Sequence, residues 1–198
     1  MKRLFLLSTI ILAFGNMNAK ETLSFPPNQP QGFSIESSTA TELSLHYSLS
    51  EIGISDIDNS EAKGQEIILK GSFGSFAEGL PNLPFENRYI AVPKGATVSI
   101  EVCEKGSQTL NGIELLPAAA VQGNAAAGMP RLQKDMSVFG KDANFPKENV
   151  VIAETTQIRG LDVVMLNVTP FRYNPVRKTL DIIKLRSEER RVGKECRS

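Results

Sequence analysis

The side chains best suited to covalent chemistry in this chain are two cysteines and a single histidine. A cysteine paired with a histidine base can act as a nucleophile. Cys103 and His46 each lie in a stretch where apolar and polar residues alternate, and both fall on the polar side. The sequence therefore predicts two ordinary strand positions, and no catalytic residue is assigned.

The same three residues decide whether the chain can form a metal site or a disulfide. A zinc site built from histidine and cysteine needs three or four ligands. The chain offers His46, Cys103 and Cys196, and Cys196 lies in a tail that is set aside below. We therefore expect no metal site, no cofactor and no intramolecular disulfide.

The first nineteen residues have the layout of a secretory signal peptide. Lys2 and Arg3 form a basic start, an apolar run covers residues 4–14, and small and polar residues lead to Ala19. The apolar run is short for a permanent membrane span. Residues 1–19 are predicted to be a signal that directs a bacterial protein out of the cell or into its envelope; the alternative is an uncleaved anchor.

The last twelve residues, SEERRVGKECRS, break sharply from the pattern that precedes them. They look like translated adapter sequence, so residues 187–198 are interpreted as a non-native tail. The alternative is an ordinary charged tail. On the first interpretation the natural protein continues past Arg186, and Cys196 has no functional weight.

Residues 20–186 are long enough for one domain with a sizeable core. They contain 16 basic and 19 acidic residues. Such a mildly acidic balance gives no reason to expect nucleic acid or anionic lipid as a partner.

Short strand-like segments separated by turn residues dominate this domain. Alternation or apolar runs occur at residues 43–50, 66–70, 88–92, 97–104, 150–153 and 161–168. Turn chemistry at 58–60, 93–95, 111–112 and 174–175 separates them. The pattern predicts an all-β fold, an antiparallel, jelly-roll-like β-sandwich with at most minor helix.

One strand pairing follows from the prolines in TPFRYNPVRK. Pro170 and Pro175 are excluded from a central ladder, so this segment is expected to connect the strands 161–168 and 178–185 as a hairpin with a long loop. Phe171 and Tyr173 would then pack over its base. The alternative is that the two strands are not paired with each other.

The least structured interior segment is the 117–134 loop, PAAAVQGNAAAGMPRLQK. It is rich in alanine and glycine and has no charge before Arg131. Loops of this length in a compact domain are uncommon and often functional. The alternative is a flexible insertion without a role.

Two stretches carry a resemblance to a known family. GLPNLPFENRYIAV begins at Gly79 and includes Arg88, and QIRGLDVVMLNVTPFRYNPVRKTL covers residues 157–180. Over roughly residues 66–185 the chain resembles the N-terminal propeptides of gingipain-type cysteine peptidases. The motif positions that match are Arg88, Arg159, Gly160, Tyr173, Asn174 and Pro175.

The resemblance implies a function without enzymatic activity. Such propeptides assist the folding of a secreted cysteine endopeptidase, block its active-site cleft and are removed on maturation. The partner would be the cognate catalytic domain, with no nucleic acid and, after signal cleavage, no membrane. The resemblance also implies that a basic residue of an extended loop enters the specificity pocket. Arg131 is the first candidate for it and Lys134 the second, unless both are solvated surface charges.

Two other functions fit a secreted all-β domain. One is a binding or adhesion module, which would show an exposed aromatic platform; the chain has no tryptophan and three tyrosines. The other is a component of an envelope export system that uses the same domain.

Overall fold

The computed structural model describes residues 20–25, 30–39, 41–58, 62–75, 77–119 and 132–190. The predicted signal peptide, Arg131 and residues 191–198 lie outside these ranges. The elements are β1 Lys20–Ser24, β2 Gly32–Ser38, β3 Glu42–Ser48, β4 Glu51–Asp58, β5 Lys63–Ile68, β6 Glu86–Val92, β7 Glu101–Asn111, α1 Met136–Phe139, β8 Val150–Ile158, β9 Leu161–Val168, β10 Phe171–Asn174 and β11 Thr179–Arg190.

The strands form three antiparallel sheets. One has the order β1-β4-β5 and another the order β6-β9-β8. The largest has the order β10-β11-β3-β2, and β7 pairs with β11 as its fifth strand. The prediction of an all-β fold with minor helix is confirmed, whereas the finer jelly-roll arrangement stays a prediction. No helix in the described part of the chain is long and apolar enough to cross a membrane.

The core lies on both faces of the large sheet. Leu180 and Ile182 pack in a cluster with Ile52 and Ile67 of the β1-β4-β5 sheet. Ile183, the next residue of β11, packs instead with Val168 of the β6-β9-β8 sheet. Successive strand residues point to opposite faces. The large sheet is therefore a middle layer with a smaller sheet against each side.

β11 joins more strands than any other described element. Its first part pairs with β10, its last part pairs with β3, and β7 runs along its other edge. The strand continues through residues 187–190, four residues past the predicted end of the domain at Arg186, and these residues pair with β3. That residues 187–198 are a non-native tail stays a prediction.

The predicted hairpin of residues 161–168 and 178–185 is wrong. β9 pairs with β6 and β8, and β11 takes β10 as its hairpin partner. The connecting segment contains a strand of its own, Phe171–Asn174, so Pro175 lies in a tight turn and Pro170 in the link from β9. Pro170 and Pro175 lie outside the strands, as predicted. The four residues between them form β10, which pairs with β11.

Candidate functional site at the base of the 117–134 loop

The two ends of the 117–134 loop are held by one short segment, residues 79–82. The described ends are residues 117–119 and 132–134, and residues 120–131 lie outside the described ranges. Pro117 forms an antiparallel bridge with Pro81. The Asn82 N–H donates to the carbonyl of Leu116 at 3.0 Å. The outgoing chain is thus paired before it enters the loop.

Gly79 contacts both sides of the loop through its backbone. Its N–H donates to the Ala118 carbonyl at 3.0 Å, and its carbonyl accepts from the Asp135 N–H at 2.9 Å. The Ala118 N–H donates in turn to the Leu80 carbonyl at 2.7 Å. These three bonds fix where the chain leaves the domain and where it returns.

The side chain of Asn82 connects the 79–82 segment to the chain around Ser75. Its Oδ1 accepts from the Ser75 N–H at 3.0 Å, and a Cβ on Gly74 would lie 3.0 Å from the same oxygen. The side chain of Leu83, next in sequence, is buried in the main core. The 79–82 segment is therefore anchored to the domain as well as to the loop.

Asp135 begins the helix that follows the loop. Its Oδ1 accepts from the Ser137 N–H at 2.8 Å, which is the usual N-cap interaction. Hydrogen bonds from Ser137 hold the pKa of Asp135 below its ordinary value. Gly140 ends the helix after a single turn. The cap fixes the direction of the chain immediately after the returning end of the loop.

The charges at the loop base centre on Glu114. Its carboxylate lies 3.0 Å from the Lys178 Nζ and 3.9 Å from the Lys134 Nζ. The hydrogen bond from Lys178 is the main reason that the pKa of Glu114 lies below its ordinary value. All three side chains are partly exposed, so these ion pairs add little stability.

Lys134, the second candidate for the pocket residue, already has two contacts. Besides the ion pair with Glu114, its Nζ lies 5.2 Å from the ring centroid of Phe139, within cation–π distance. Arg131, the first candidate, lies outside the described residues. The assignment of either residue to a specificity pocket stays a prediction.

Tyr173 and Asn174, two of the motif positions, are buried structural residues. The Tyr173 hydroxyl donates to the Ile113 carbonyl at 3.1 Å and accepts from the Leu115 N–H at 3.2 Å. Burial raises the pKa of Tyr173 above its ordinary value. Residues 113–116 lead into the loop, so Tyr173 connects the β10–β11 hairpin to the loop base.

Asn174 organises the turn between β10 and β11. Its Oδ1 accepts from the N–H groups of Val176 and Arg177 at 3.1 and 3.0 Å, an Asx turn around Pro175. Its Nδ2 donates to Asp142 at 2.8 Å, and Arg177 donates to the same carboxylate at 2.7 Å. Asparagine and proline at these positions are thus explained by the turn alone.

The remaining motif positions lie in the β6-β9-β8 sheet. Arg159 and Gly160 are the two turn residues between β8 and β9, with φ of 52° and 81°, as a type I′ turn requires. Arg88 is exposed on β6, and its guanidinium lies 5.7 Å from the ring centroid of Phe33. None of the three has a described contact with the loop base.

Cys103 and His46 are held apart by a strand. Both pair with Arg186 of β11, one from each side. They therefore lie in one row across the sheet, with two strand spacings, about 10 Å, between their backbones. Side chains that leave a sheet side by side at this spacing are too far apart for a thiol–imidazole hydrogen bond. Cys103 is also disulfide-bonded, which corrects the expectation that the chain forms no disulfide. Cys196, which the expectation set aside, lies outside the described residues.

No cluster of three or more potential metal ligands occurs among the residues that the structure describes. The sequence did not predict the backbone hydrogen bonds of Gly79 or the ion pairs of Glu114 at the base of the loop. Gly79 could have been noticed as a glycine at the start of a proline-containing turn, but nothing local in the sequence indicates that its partners are Ala118 and Asp135.

The described part of the chain is thus an all-β domain in which Gly79 bonds to the backbone on both sides of a long loop. Its sequence matches the family model Propeptide_C25 over residues 27–186. The chain therefore belongs to this family, the propeptide domains of C25 cysteine peptidases, and it is the propeptide part rather than the catalytic part of such a precursor.

Two solved structures share the fold. One comes from work on the zymogenic latency of gingipain K from Porphyromonas gingivalis, with a TM-score of 0.71 and 16% sequence identity over 89% of this chain and 99% of that chain. The other is a complex of the RgpB pro- and mature domains from the same organism, with a TM-score of 0.68 and 20% identity over 82% of this chain and 84% of that one. No curated protein sequence matches the chain.

Proposed function

We propose that this domain is the inhibitory and folding-assisting propeptide of a secreted, gingipain-like cysteine endopeptidase. It would bind its cognate catalytic domain and block the active-site cleft until maturation. The observation that carries the proposal is the family match over residues 27–186. The shared fold with a pro-domain known in complex with its mature domain supports the choice of partner.

Arg131 is the residue proposed to enter the specificity pocket. A guanidinium suits a pocket carboxylate because it can form two parallel hydrogen bonds. The loop that contains Arg131 leaves and re-enters the domain at fixed points, which favours a defined presentation of its tip. Lys134 is the weaker candidate because it would have to leave Glu114 and Phe139 to enter a pocket.

The test is the inhibition constant of the separate propeptide against its mature peptidase. Removing one partner of a buried charge pair costs about 2–5 kcal/mol, so Arg131→Ala should weaken inhibition by about 30- to 5,000-fold. Arg88→Ala is the control, since Arg88 is an exposed arginine outside the loop and its loss should cost well under about tenfold.

The inhibition constants of the variants show whether Arg131 or Lys134 enters the pocket. A change of less than about threefold for Arg131→Ala, which is well under 1 kcal/mol, would show that Arg131 is not the pocket residue. A large loss for Lys134→Ala instead would keep the loop and replace the residue. If the wild-type domain does not inhibit the peptidase at all, the inhibitory function itself is wrong.

The isolated domain is also proposed to hydrolyse nothing. The separation of Cys103 and His46 across β11 supports this, because a nucleophile needs its base within hydrogen-bonding reach. The check is turnover of arginyl and lysyl peptide substrates by the purified domain. Turnover that disappears in Cys103→Ala would overturn this part of the proposal.

A further inference from the structure

Gly79 is the one described residue whose backbone bonds to both ends of the 117–134 loop. Its N–H reaches the outgoing end at Ala118, and its carbonyl reaches the N–H of Asp135, directly after the returning end. Ala118 is itself 1% exposed and bonds to Leu80. Closing a loop has an entropic cost that rises with its length. The bonds of Gly79 offset part of this cost by holding the two described ends of the loop at one separation.

The conformation and the surroundings of Gly79 both require glycine. Its φ is +80°, in the left-handed region that residues with a Cβ rarely adopt. A Cβ at this position would also lie 3.0 Å from the Gln133 carbonyl oxygen and 3.3 Å from both the Cβ and the N of Asp135. Those atoms belong to the returning end of the loop and its helix cap. A side chain at 79 would require these atoms to shift by a few tenths of an ångström.

We propose that Gly79 is a positioning residue for inhibition: it sets the distance and direction between the two ends of the 117–134 loop, and so presents the loop to the partner peptidase. This inference rests on the proposed function. It concerns a residue that would not itself enter the active site and acts through Ala118 and Asp135.

Gly71 provides a matched control. Its φ is +81°, so an added Cβ brings the same backbone strain, yet no atom lies within 4 Å of where that Cβ would be. Comparing Gly79→Ala with Gly71→Ala therefore separates displacement of the loop ends from strain alone. Far-UV circular dichroism and urea unfolding would establish that both variants are folded under the assay conditions.

The first measurement is the inhibition constant of each folded variant against the mature cognate peptidase. Gly79→Ala should weaken inhibition by about tenfold or more, because a misaligned loop loses its preorganisation. Gly71→Ala should stay within about twofold of wild type. Equal constants for the two variants would overturn the proposal. If Gly79→Ala does not fold, Gly79→Asn and Gly71→Asn decide by the same criterion, since asparagine tolerates a left-handed φ.

A second measurement does not depend on inhibition. Amide hydrogen exchange should be at least about tenfold faster at Asp135 in Gly79→Ala than in Gly71→Ala, because the acceptor of that N–H has moved. If the wild-type domain proves not to inhibit, the proposed function fails and this exchange ratio alone decides whether Gly79 positions the loop ends. Equal exchange rates would show that it does not.

Discussion

The loop base and the β10–β11 hairpin both contain residues of the family motifs, but they are built in opposite ways. The hairpin is held by buried side chains: Phe171 is 0% and Tyr173 2% exposed. The loop base is held by backbone hydrogen bonds from Gly79 and by partly exposed ion pairs around Glu114. The stretch 157–180 contains the hairpin residues, whose identities are explained by folding, whereas the stretch that begins at Gly79 contains the glycine that bonds to both sides of the loop.

This difference separates buried residues that keep the domain folded from exposed residues at the two ends of the loop. Substitutions in the hairpin should change the free energy of unfolding, whereas truncating the exposed charges around Glu114 should leave it nearly unchanged. The following predictions test that division, beginning with the largest expected effect.

Phe171→Ala should be the most destabilising of these changes. The side chain is fully buried in the cluster that joins the large sheet to the β1-β4-β5 sheet. Truncating a buried phenylalanine costs about 3–5 kcal/mol through lost burial and the cavity left behind. Phe73→Ala is the control, since Phe73 is 56% exposed and should cost under about 1 kcal/mol. Urea unfolding measures the free energy of unfolding of both variants. Similar losses in the two would contradict the view that the buried hairpin side chains hold the domain together.

Tyr173→Phe should cost less, and the loss should come from hydrogen bonding. It removes the hydroxyl that accepts from the Leu115 N–H and donates to the Ile113 carbonyl. Leaving buried polar groups without partners costs about 1–3 kcal/mol. Tyr89→Phe, at a position that is 51% exposed, should be close to neutral. A neutral Tyr173→Phe would show that the link between hairpin and loop base is not maintained in solution.

Acidification should destabilise the domain, partly through Asp142. Hydrogen bonds from Arg177 and Asn174 hold its folded-state pKa below the ordinary value of 3.8. At a pH between the two pKa values the unfolded chain binds the proton more readily. The stabilisation is therefore complete above pH 3.8 and is lost as the pH falls through the folded-state pKa.

The measurement is urea unfolding of wild type and Asp142→Asn at about pH 7 and about pH 3. The variant should lose less stability on acidification than wild type does. Glu114→Gln should show the same sign, since the pKa of Glu114 is lowered mainly by Lys178. An unchanged acid dependence in Asp142→Asn would mean that its ion pair with Arg177 is not formed in solution.

Lys134→Ala should have the smallest effect on stability. Its ion pair with Glu114 is 3.9 Å long and partly exposed, and pairs of this kind contribute about 0–1 kcal/mol. The free energy of unfolding from urea titration should therefore stay within about 1 kcal/mol of wild type. A larger loss would place Lys134 among the residues that hold the domain together.

The sequence predicted much of the fold because the fold depends on local patterns. The strand segments 88–92 and 161–168 lie within β6 and β9, and the glycine and asparagine turns at 95, 112 and 174 are where expected. It missed β4, EIGISDID, whose apolar residues at 52 and 54 belong to a period-two pattern cut short by the glycine and acidic residues around them.

The wrong hairpin and the unrecognised loop clamp have a common cause. Which strand pairs with which, and which glycine meets which carbonyl, depends on residues far apart in the chain. Gly79 bonds to Ala118 and Asp135, and β9 pairs with β6 across a long stretch of sequence. Nothing in the local pattern specifies these partners, because each is chosen by the packing of the whole domain.

β11 also determines when the domain can fold. It is the last strand of the described fold, and β10, β3 and β7 all pair with it. During synthesis β3 and β7 would expose unpaired edges until Thr179 and the residues after it leave the ribosome, and such edges favour pairing with other chains. Formation of the middle sheet then depends on contacts distant in sequence, which slows folding. A nascent chain that stops before β11 should consequently be the species most in need of a chaperone.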